Sequence, residues 1–99
     1  MRIRYSPRSL RNLRTISAYV EKENPPAAAR VVNRIEEAVA GLGYAPGMGT
    51  PTSRPGIYRF AISGTPYLVF YEIFDEEVAI VHIRHGARRP WAGPAERRR

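Results

Sequence analysis

Two neighbouring stretches in the first half of the 99-residue chain carry hydrophobic side chains at helical spacing. Ser6 and Pro7 are the residue types that begin a helix, a hydroxyl cap followed by a proline that needs no backbone N–H partner. The apolar positions that follow predict a helix over Pro7–Glu23. Asn24-Pro25-Pro26 ends it, since proline disfavours helix in the residue before it. A second helix is predicted from about residue 26 to residue 42, and the short connection predicts an antiparallel hairpin.

Alternating polar and apolar residues, and short apolar runs, predict strands on both sides of the hairpin. Arg2–Tyr5 alternates and predicts a short N-terminal strand. Residues 43–56 are rich in Gly and Pro and predict a loop. Residues 57–62, Tyr67–Phe74 and 78–85 then predict a three-stranded antiparallel meander with short connections. The middle run is apolar on both faces apart from one Glu, so we expect it in the interior of the sheet.

This order of elements is typical of an α+β fold. The helical hairpin needs a surface for its apolar stripe, and one face of a four-stranded sheet is the surface available. The opposite face, or an edge, is then left for function. The length predicts one domain over residues 1–99. Its last part, residues 86–99, is rich in Arg, Pro and Gly and is expected to be a flexible basic tail.

The charge balance predicts an acidic partner. Sixteen Lys and Arg against nine Asp and Glu give a net charge of +7, and nearly all the cations are Arg. Arg presents a planar charged fork suited to carboxylates and phosphates, so the partner is nucleic acid or an acidic polypeptide. The chain has no cysteine, which excludes disulfides and thiolate metal sites. No stretch has the pattern of a signal peptide or a membrane span. We therefore expect a cytoplasmic protein without metal, cofactor or membrane partner.

Four motifs, in this order along the chain, resemble the ParE/RelE superfamily of toxins from type II toxin–antitoxin modules. They are Tyr5-Ser6-Pro7, Pro46-Gly47-Met48-Gly49-Thr50-Pro51, Pro66-Tyr67-Leu68-Val69-Phe70-Tyr71 and His85-Gly86-Ala87-Arg88-Arg89. The resemblance implies a small sheet carrying an antiparallel helical hairpin, in agreement with the predicted elements. It also implies a growth-inhibiting toxin, with a role in plasmid stabilisation, held in a hetero-oligomer with an acidic ParD-like antitoxin that folds on it.

The family divides by target, and the residues favour one branch. RelE-like members are ribosome-dependent endoribonucleases of messenger RNA, whereas ParE-like members poison DNA gyrase. RelE-like sequences place Arg directly before the Leu-Val-Tyr run of the central strand, where this chain has Tyr67. Their paired Lys correspond here to Arg59 and Ala61, and their C-terminal Tyr is replaced by Trp91 and Pro94. We therefore expect a ParE-like toxin that binds gyrase and has no catalysis of its own.

The alternative is a RelE-like ribonuclease acting on message at the ribosome. RNA cleavage needs an acid or base beside cations that stabilise the developing phosphorane charge. His85 with Arg59 and Arg88 are the candidates, and Arg88 matches a ribonuclease Arg near phosphate. The simpler interpretation of His85 is that it caps the end of the strand. The simpler interpretation of His82 is that its imidazole packs against neighbouring side chains. A third possibility, a DNA-binding accessory protein, is disfavoured because neither helix has a basic base-reading face.

Two binding surfaces are predicted. The basic C-terminal part would contact the target through Arg84, Arg88, Arg89 and Trp91. A four-stranded sheet would cover only part of the apolar stripe of the hairpin, so an antitoxin helix or strand would cover the rest. The residues assigned to the antitoxin are Leu10, Leu13, Val31, Val32, Ile35 and Val39.

Overall fold

The computed structural model describes residues 1–86, which form two helices and a five-stranded sheet. The strands are β1 (Arg2–Tyr5), β2 (Thr50–Pro51), β3 (Tyr58–Ala61), β4 (Tyr67–Phe74) and β5 (Glu77–His85). The helices are α1 (Pro7–Glu23) and α2 (Pro25–Tyr44), and a 3-10 turn, Pro46–Met48, follows α2. The α+β class and the helical hairpin are confirmed. Of the predicted tail only Gly86 is described, and residues 87–99 lie outside the described part.

The helix α1 begins as predicted but buries a different face. The Ser6 hydroxyl accepts a hydrogen bond from the Ser9 N–H at 3.0 Å and so caps the helix. Ser9 is fully buried and donates its own hydroxyl to the Ser6 carbonyl at 2.9 Å. It shares the core face with Leu13 and Ile16, whereas Leu10 is 43% exposed. A serine whose hydroxyl is bonded can replace an apolar residue, so Ser9 takes part in the buried face, whereas Leu10 of the predicted apolar stripe lies outside it.

The sheet has the order β1-β5-β4-β3-β2, so β4 lies in the interior as predicted. The meander of β3, β4 and β5 is antiparallel, and β1 pairs parallel to β5, the strand farthest from it along the chain. The expected count of four strands is wrong. Thr50 and Pro51, from the predicted loop, pair with β3 as a fifth strand. Two residues are too few to produce an alternating pattern, which is why the sequence gives no sign of this strand.

Both helices pack on one face of the sheet, and the main core lies between the two layers. It includes Ile35 and Val39 of α2 and Val69 and Ile80 of the sheet, all almost fully buried. A smaller cluster around Phe70 lies on the opposite face. No helix in residues 1–86 is long and apolar enough to cross a membrane.

The side chain of Tyr71 connects the loop after α2 to the core through hydrogen bonds. Its buried ring stacks on Tyr58, with 5.7 Å between ring centroids. Its hydroxyl donates to the Pro46 carbonyl at 2.7 Å and accepts from the Gly49 N–H at 2.9 Å. Burial raises the pKa of Tyr71, so the hydroxyl keeps its proton at neutral pH. A Cβ at Gly49 would lie 2.9 Å from the Tyr71 ring and 3.0 Å from the Arg59 carbonyl oxygen, so the loop needs glycine there.

Candidate functional site

The strand β1 covers only the first part of the outer edge of β5, and α1 covers the rest. The paired stretch ends at Ile80, whose carbonyl accepts from the Ser6 N–H at 3.0 Å. The Ser6 hydroxyl then donates to the Val81 carbonyl at 3.2 Å. Further along α1, Oδ1 of Asn12 accepts from the Ile83 N–H at 2.9 Å. Side chains of the helix therefore supply hydrogen bonds that a neighbouring strand would otherwise supply.

The Asn12 oxygen also holds a buried histidine. It accepts from Nδ1 of His82 at 3.0 Å, and the His82 ring lies beside Phe70 with 5.8 Å between centroids. Burial, together with the positive charges of Arg8 and Arg84, lowers the pKa of His82 to about 4. The imidazole is therefore neutral at pH 7, with its proton on Nδ1 facing the amide oxygen. The sequence-based interpretation of His82 as a packed imidazole agrees with this placement.

A cleft of about 320 Å³ opens between α1 and the last four residues of β5. Its lining residues are Asn12, Thr15, Ile16 and Tyr19 of α1, and Tyr67, His82, Ile83, Arg84 and His85 of the sheet. Tyr19 is 48% exposed. The volume is at the lower limit of pockets that hold small molecules, so the cleft suits one bulky side chain of a partner.

Contacts within the sheet orient Arg84 and His85. Nη1 of Arg84 donates to the His85 carbonyl at 3.0 Å, and its guanidinium carbon lies 5.3 Å from the centroid of the Phe70 ring. The His85 ring meets Tyr67 edge-on, with 5.5 Å between centroids. In the register of β4 and β5, Arg84 is opposite Leu68 and His85 is opposite Tyr67. Neighbouring residues on a strand point to opposite faces, so these two predicted site residues diverge.

Two of the three candidates for ribonuclease chemistry, Arg59 and His85, are not brought together. Arg59 is opposite Phe70, on the face without helices. His85 is opposite Tyr67, on the helix-covered face, and β4 separates their two strands. The third candidate, Arg88, lies outside the described part of the chain, as do the predicted target-binding residues Arg89 and Trp91.

The six residues assigned to an antitoxin differ in accessibility. Three of them are buried in the chain's own core, with exposed fractions of 8% or less: Leu13, Ile35 and Val39. The expectation that the sheet leaves these three partly uncovered is wrong, because the two helices and the sheet together enclose them. Leu10 is exposed, and Val31 and Val32 are half-buried. Contact of these three with an antitoxin stays a prediction.

Sequence reasoning missed Asn12, Thr15 and Tyr19 as parts of the cleft. The apolar pattern places Asn12 on the outer face of α1, whereas the structure turns it toward β5. One signal was available, because Asn is a poor helix former whose side chain seeks hydrogen bonds of its own. Its presence within a helix suggests a bonding partner elsewhere. Nothing in the sequence indicates that this partner lies on a strand 70 residues later.

Known proteins resemble the chain in sequence and in fold. A family model described as ParE toxin of type II toxin-antitoxin system, parDE, matches residues 3–90. The protein named Putative toxin Y4kP, from Sinorhizobium fredii, is 40% identical over 90 residues, which are 91% of this chain and 92% of that protein. A solved structure of the chromosomal ParDE TA system from P. aeruginosa matches with a TM-score of 0.78 at 22% identity. The match covers 86% of this chain and 95% of that chain.

Proposed function

The chain belongs to the ParE toxin family of type II toxin–antitoxin systems, and from this premise we propose that it arrests growth by binding DNA gyrase. In the proposal a cognate acidic antitoxin neutralises it by forming a hetero-oligomer. Gyrase acts on the bacterial chromosome, so the toxin would act in the cytoplasm. Binding, without chemistry carried out by the toxin itself, is the activity that its residues support best.

The observation that carries the proposal is the divergence of Arg59 and His85. RNA cleavage requires an acid or base and a cation that reach the same phosphate group. In this chain the two side chains leave opposite faces of the sheet. His82, which lies in the same cross-strand row as Arg59, is buried and bonded to Asn12. This arrangement favours a surface that binds a protein target over a ribonuclease site.

The antitoxin part of the proposal rests on charge and on one exposed apolar side chain. The net charge of +7 would attract an acidic chain and speed its encounter with the toxin. Leu10 is exposed on α1 and has Arg14 one helical turn away. A segment that folds on the toxin would bury Leu10 and place a carboxylate near Arg14.

Two assays with the purified full-length chain test the target. One is supercoiling by purified gyrase, and the other is translation of a defined message by purified ribosomes. We expect inhibited supercoiling and an intact message. Cuts at defined codons, with supercoiling unaffected, would overturn the proposal and establish the RelE-like alternative.

Variants separate the two mechanisms further. Arg88→Ala with Arg89→Ala should weaken inhibition of gyrase, because charge-assisted contacts to the target are lost. His85→Ala should leave inhibition nearly unchanged. A ribonuclease would instead lose about 10²–10⁴-fold in activity on His85→Ala, since general acid–base catalysis is worth that much.

The product of the neighbouring gene is the candidate antitoxin for this test. Titration calorimetry with that protein should give binding tighter than micromolar and weaker at high salt, because charge steers the encounter. Leu10→Asp should weaken it, and Met48→Asp, at an exposed apolar position in the turn after α2, serves as the control. Binding that is insensitive to salt and to Leu10→Asp contradicts this part of the proposal.

A further inference from the structure

One row of residues on the outward face of α1 carries positive charge and no large apolar side chain. The row, called the basic row here, recurs at i, i+3 and i+7 spacing and consists of Arg8, Arg11, Thr15, Ala18 and Lys22, all exposed. The buried residues of α1 lie on the opposite side of the helix. With a rise of 1.5 Å per residue the row is about 21 Å long. We propose that the basic row binds the phosphate backbone of duplex DNA.

The fold itself does not explain this distribution of charge. The first turn of α1 contains no acidic residue, and the row places Arg8 and Arg11 near the positive end of the helix dipole. Cations are unfavourable at that end, so the helix would be more stable without them. Within residues 1–86, Arg11 forms no ion pair that would offset this repulsion, and Lys22, in the last turn where the dipole favours a cation, forms none either. An external polyanion along the row would offset it.

The side chains of the row fit phosphates better than bases or apolar anchors. Arg, Lys and Thr hydroxyl groups are the usual donors to phosphate oxygens. The short side chains of Thr15 and Ala18 leave room for a rod-like polyanion to approach the middle of the helix. The row has no Asn or Gln to read base edges, so binding would not depend on sequence. This agrees with the lack of a base-reading face on either helix.

Two other partners fit less well. Proteins that bind single strands place aromatic rings between their cations, and the row itself contains no aromatic residue. A protein partner docking on a helix needs apolar anchors, and the exposed Leu10 lies outside the row. Binding to the phosphate backbone of a duplex needs neither aromatic rings nor apolar anchors. The inference goes beyond binding to gyrase and does not require it, so the two proposals can fail separately.

The test measures binding of the full chain to a labelled duplex of random sequence at several salt concentrations. Each phosphate contact contributes about one unit to the slope of log affinity against log salt. The double variant Arg11→Gln/Lys22→Gln should therefore lower that slope by about two units. Gln is a good helix former, so both substitutions suit exposed positions of α1.

A matched control removes the same charge from α2. Arg30 donates to the Pro26 carbonyl and Arg34 pairs with Glu37 at 3.7 Å, so both lie outside the row. Arg30→Gln/Arg34→Gln should keep the slope of the unmodified chain. If the α1 double variant does not fold, as judged by circular dichroism, Arg11→Gln alone should lower the slope by about one unit.

Three outcomes would overturn the inference. The first is that the full chain does not bind the duplex at low salt. The second is that the α1 and α2 double variants have the same salt slope. The third is that the α1 double variant loses affinity for polyglutamate and keeps its affinity for the duplex, which would show that the row binds an acidic protein. None of these outcomes involves gyrase.

Discussion

Two places in the sheet would expose unpaired strand backbone, and they are covered in different ways. Beyond Ile80, the edge of β5 is bonded by Ser6 and Asn12 of α1. On the far side, β3 is paired by the two-residue strand Thr50–Pro51, in a loop held by Tyr71. At the β5 edge the side chains of Ser6 and Asn12 bond the strand, and Asn12 bonds the backbone of the buried Ile83. The loop at the β3 edge is instead partly open to water. We therefore expect damage to cost more stability at the β5 edge.

Acid should give the largest effect, because it acts on the buried histidine of the β5 edge. The pKa of His82 is about 4 when folded and 6.5 when unfolded. The unfolded chain therefore binds the proton more tightly, and the contribution of His82 is complete above pH 6.5 and is lost as the pH falls toward 4. The loss is about 3 kcal/mol in the free energy of unfolding, at 1.36 kcal/mol per pH unit. Urea denaturation over this pH range measures it.

His82→Gln should flatten this pH dependence, while His85→Gln, a matched change on the same strand, should keep it. The same dependence in both variants would show that other groups cause the acid sensitivity. In that case the β5 edge would not be the acid-sensitive part of the molecule.

The next largest effect is expected for Asn12→Ala. The change leaves the Ile83 N–H and Nδ1 of His82 without their acceptor in a buried environment. We expect the free energy of unfolding to fall by about 2 kcal/mol. Arg11→Ala, at the neighbouring exposed position, is the control, and Asn12→Asp should retain most of the stability because it keeps an acceptor. A cost for Asn12→Ala no larger than that of the control contradicts the role given to Asn12.

At the β3 edge, Tyr71→Phe should cost less, about 1.5 kcal/mol. It removes the hydroxyl that bonds Pro46 and Gly49, but the backbone of both is half-exposed and water can replace part of the loss. Tyr58→Phe is the control, since its ring stacks on Tyr71 and its hydroxyl has no hydrogen bond within residues 1–86. Thermal denaturation compares the two. If Tyr71→Phe costs more than Asn12→Ala, the ranking of the two edges is reversed.

Ser6→Ala should have the smallest effect, about 1 kcal/mol. It removes the helix cap and the bond to the Val81 carbonyl, while the Ser6 N–H still bonds Ile80. The control is Ser17→Ala within α1, which should be neutral or slightly stabilising because Ala is the better helix former. Equal midpoints of urea unfolding for both variants would show that the Ser6 side chain does not stabilise the β5 edge.

Local patterns predicted most of the fold, and distant contacts account for what they missed. The bounds of α1 and β4 follow from capping residues and apolar runs, which act over a few residues. The parallel pairing of β1 with β5 joins Arg2 to Glu77 and has no local signal. Ser9 lies in the core because its hydroxyl donates to a carbonyl in the same helical turn. Hydrophobic periodicity counts Ser as polar and therefore cannot predict this position.

The candidate site was predicted less completely. Arg84 and His85, chosen from the sequence for other reasons, both line the cleft, whereas its lining residues on α1 were missed. The divergence of Arg59 and His85 depends on the strand register, which places Arg59 opposite Phe70 and His85 opposite Tyr67. A change of one residue in the register would move a side chain to the other face, and one sequence does not reveal the register. Chemical candidates could therefore be chosen from residue types, but not their relative positions.

The parallel pairing of β1 with β5 has a consequence for when the molecule matures during synthesis. The ribosome makes β1 and α1 first, and β5 is the last strand of the described residues to be made. Until β5 emerges, β1 has no strand to pair with and the Asn12 side chain lacks Ile83 and His82 as hydrogen-bond partners. Pairings so distant along the chain also form slowly. The cleft therefore comes into being only once β5 has been made, after every other element of residues 1–86.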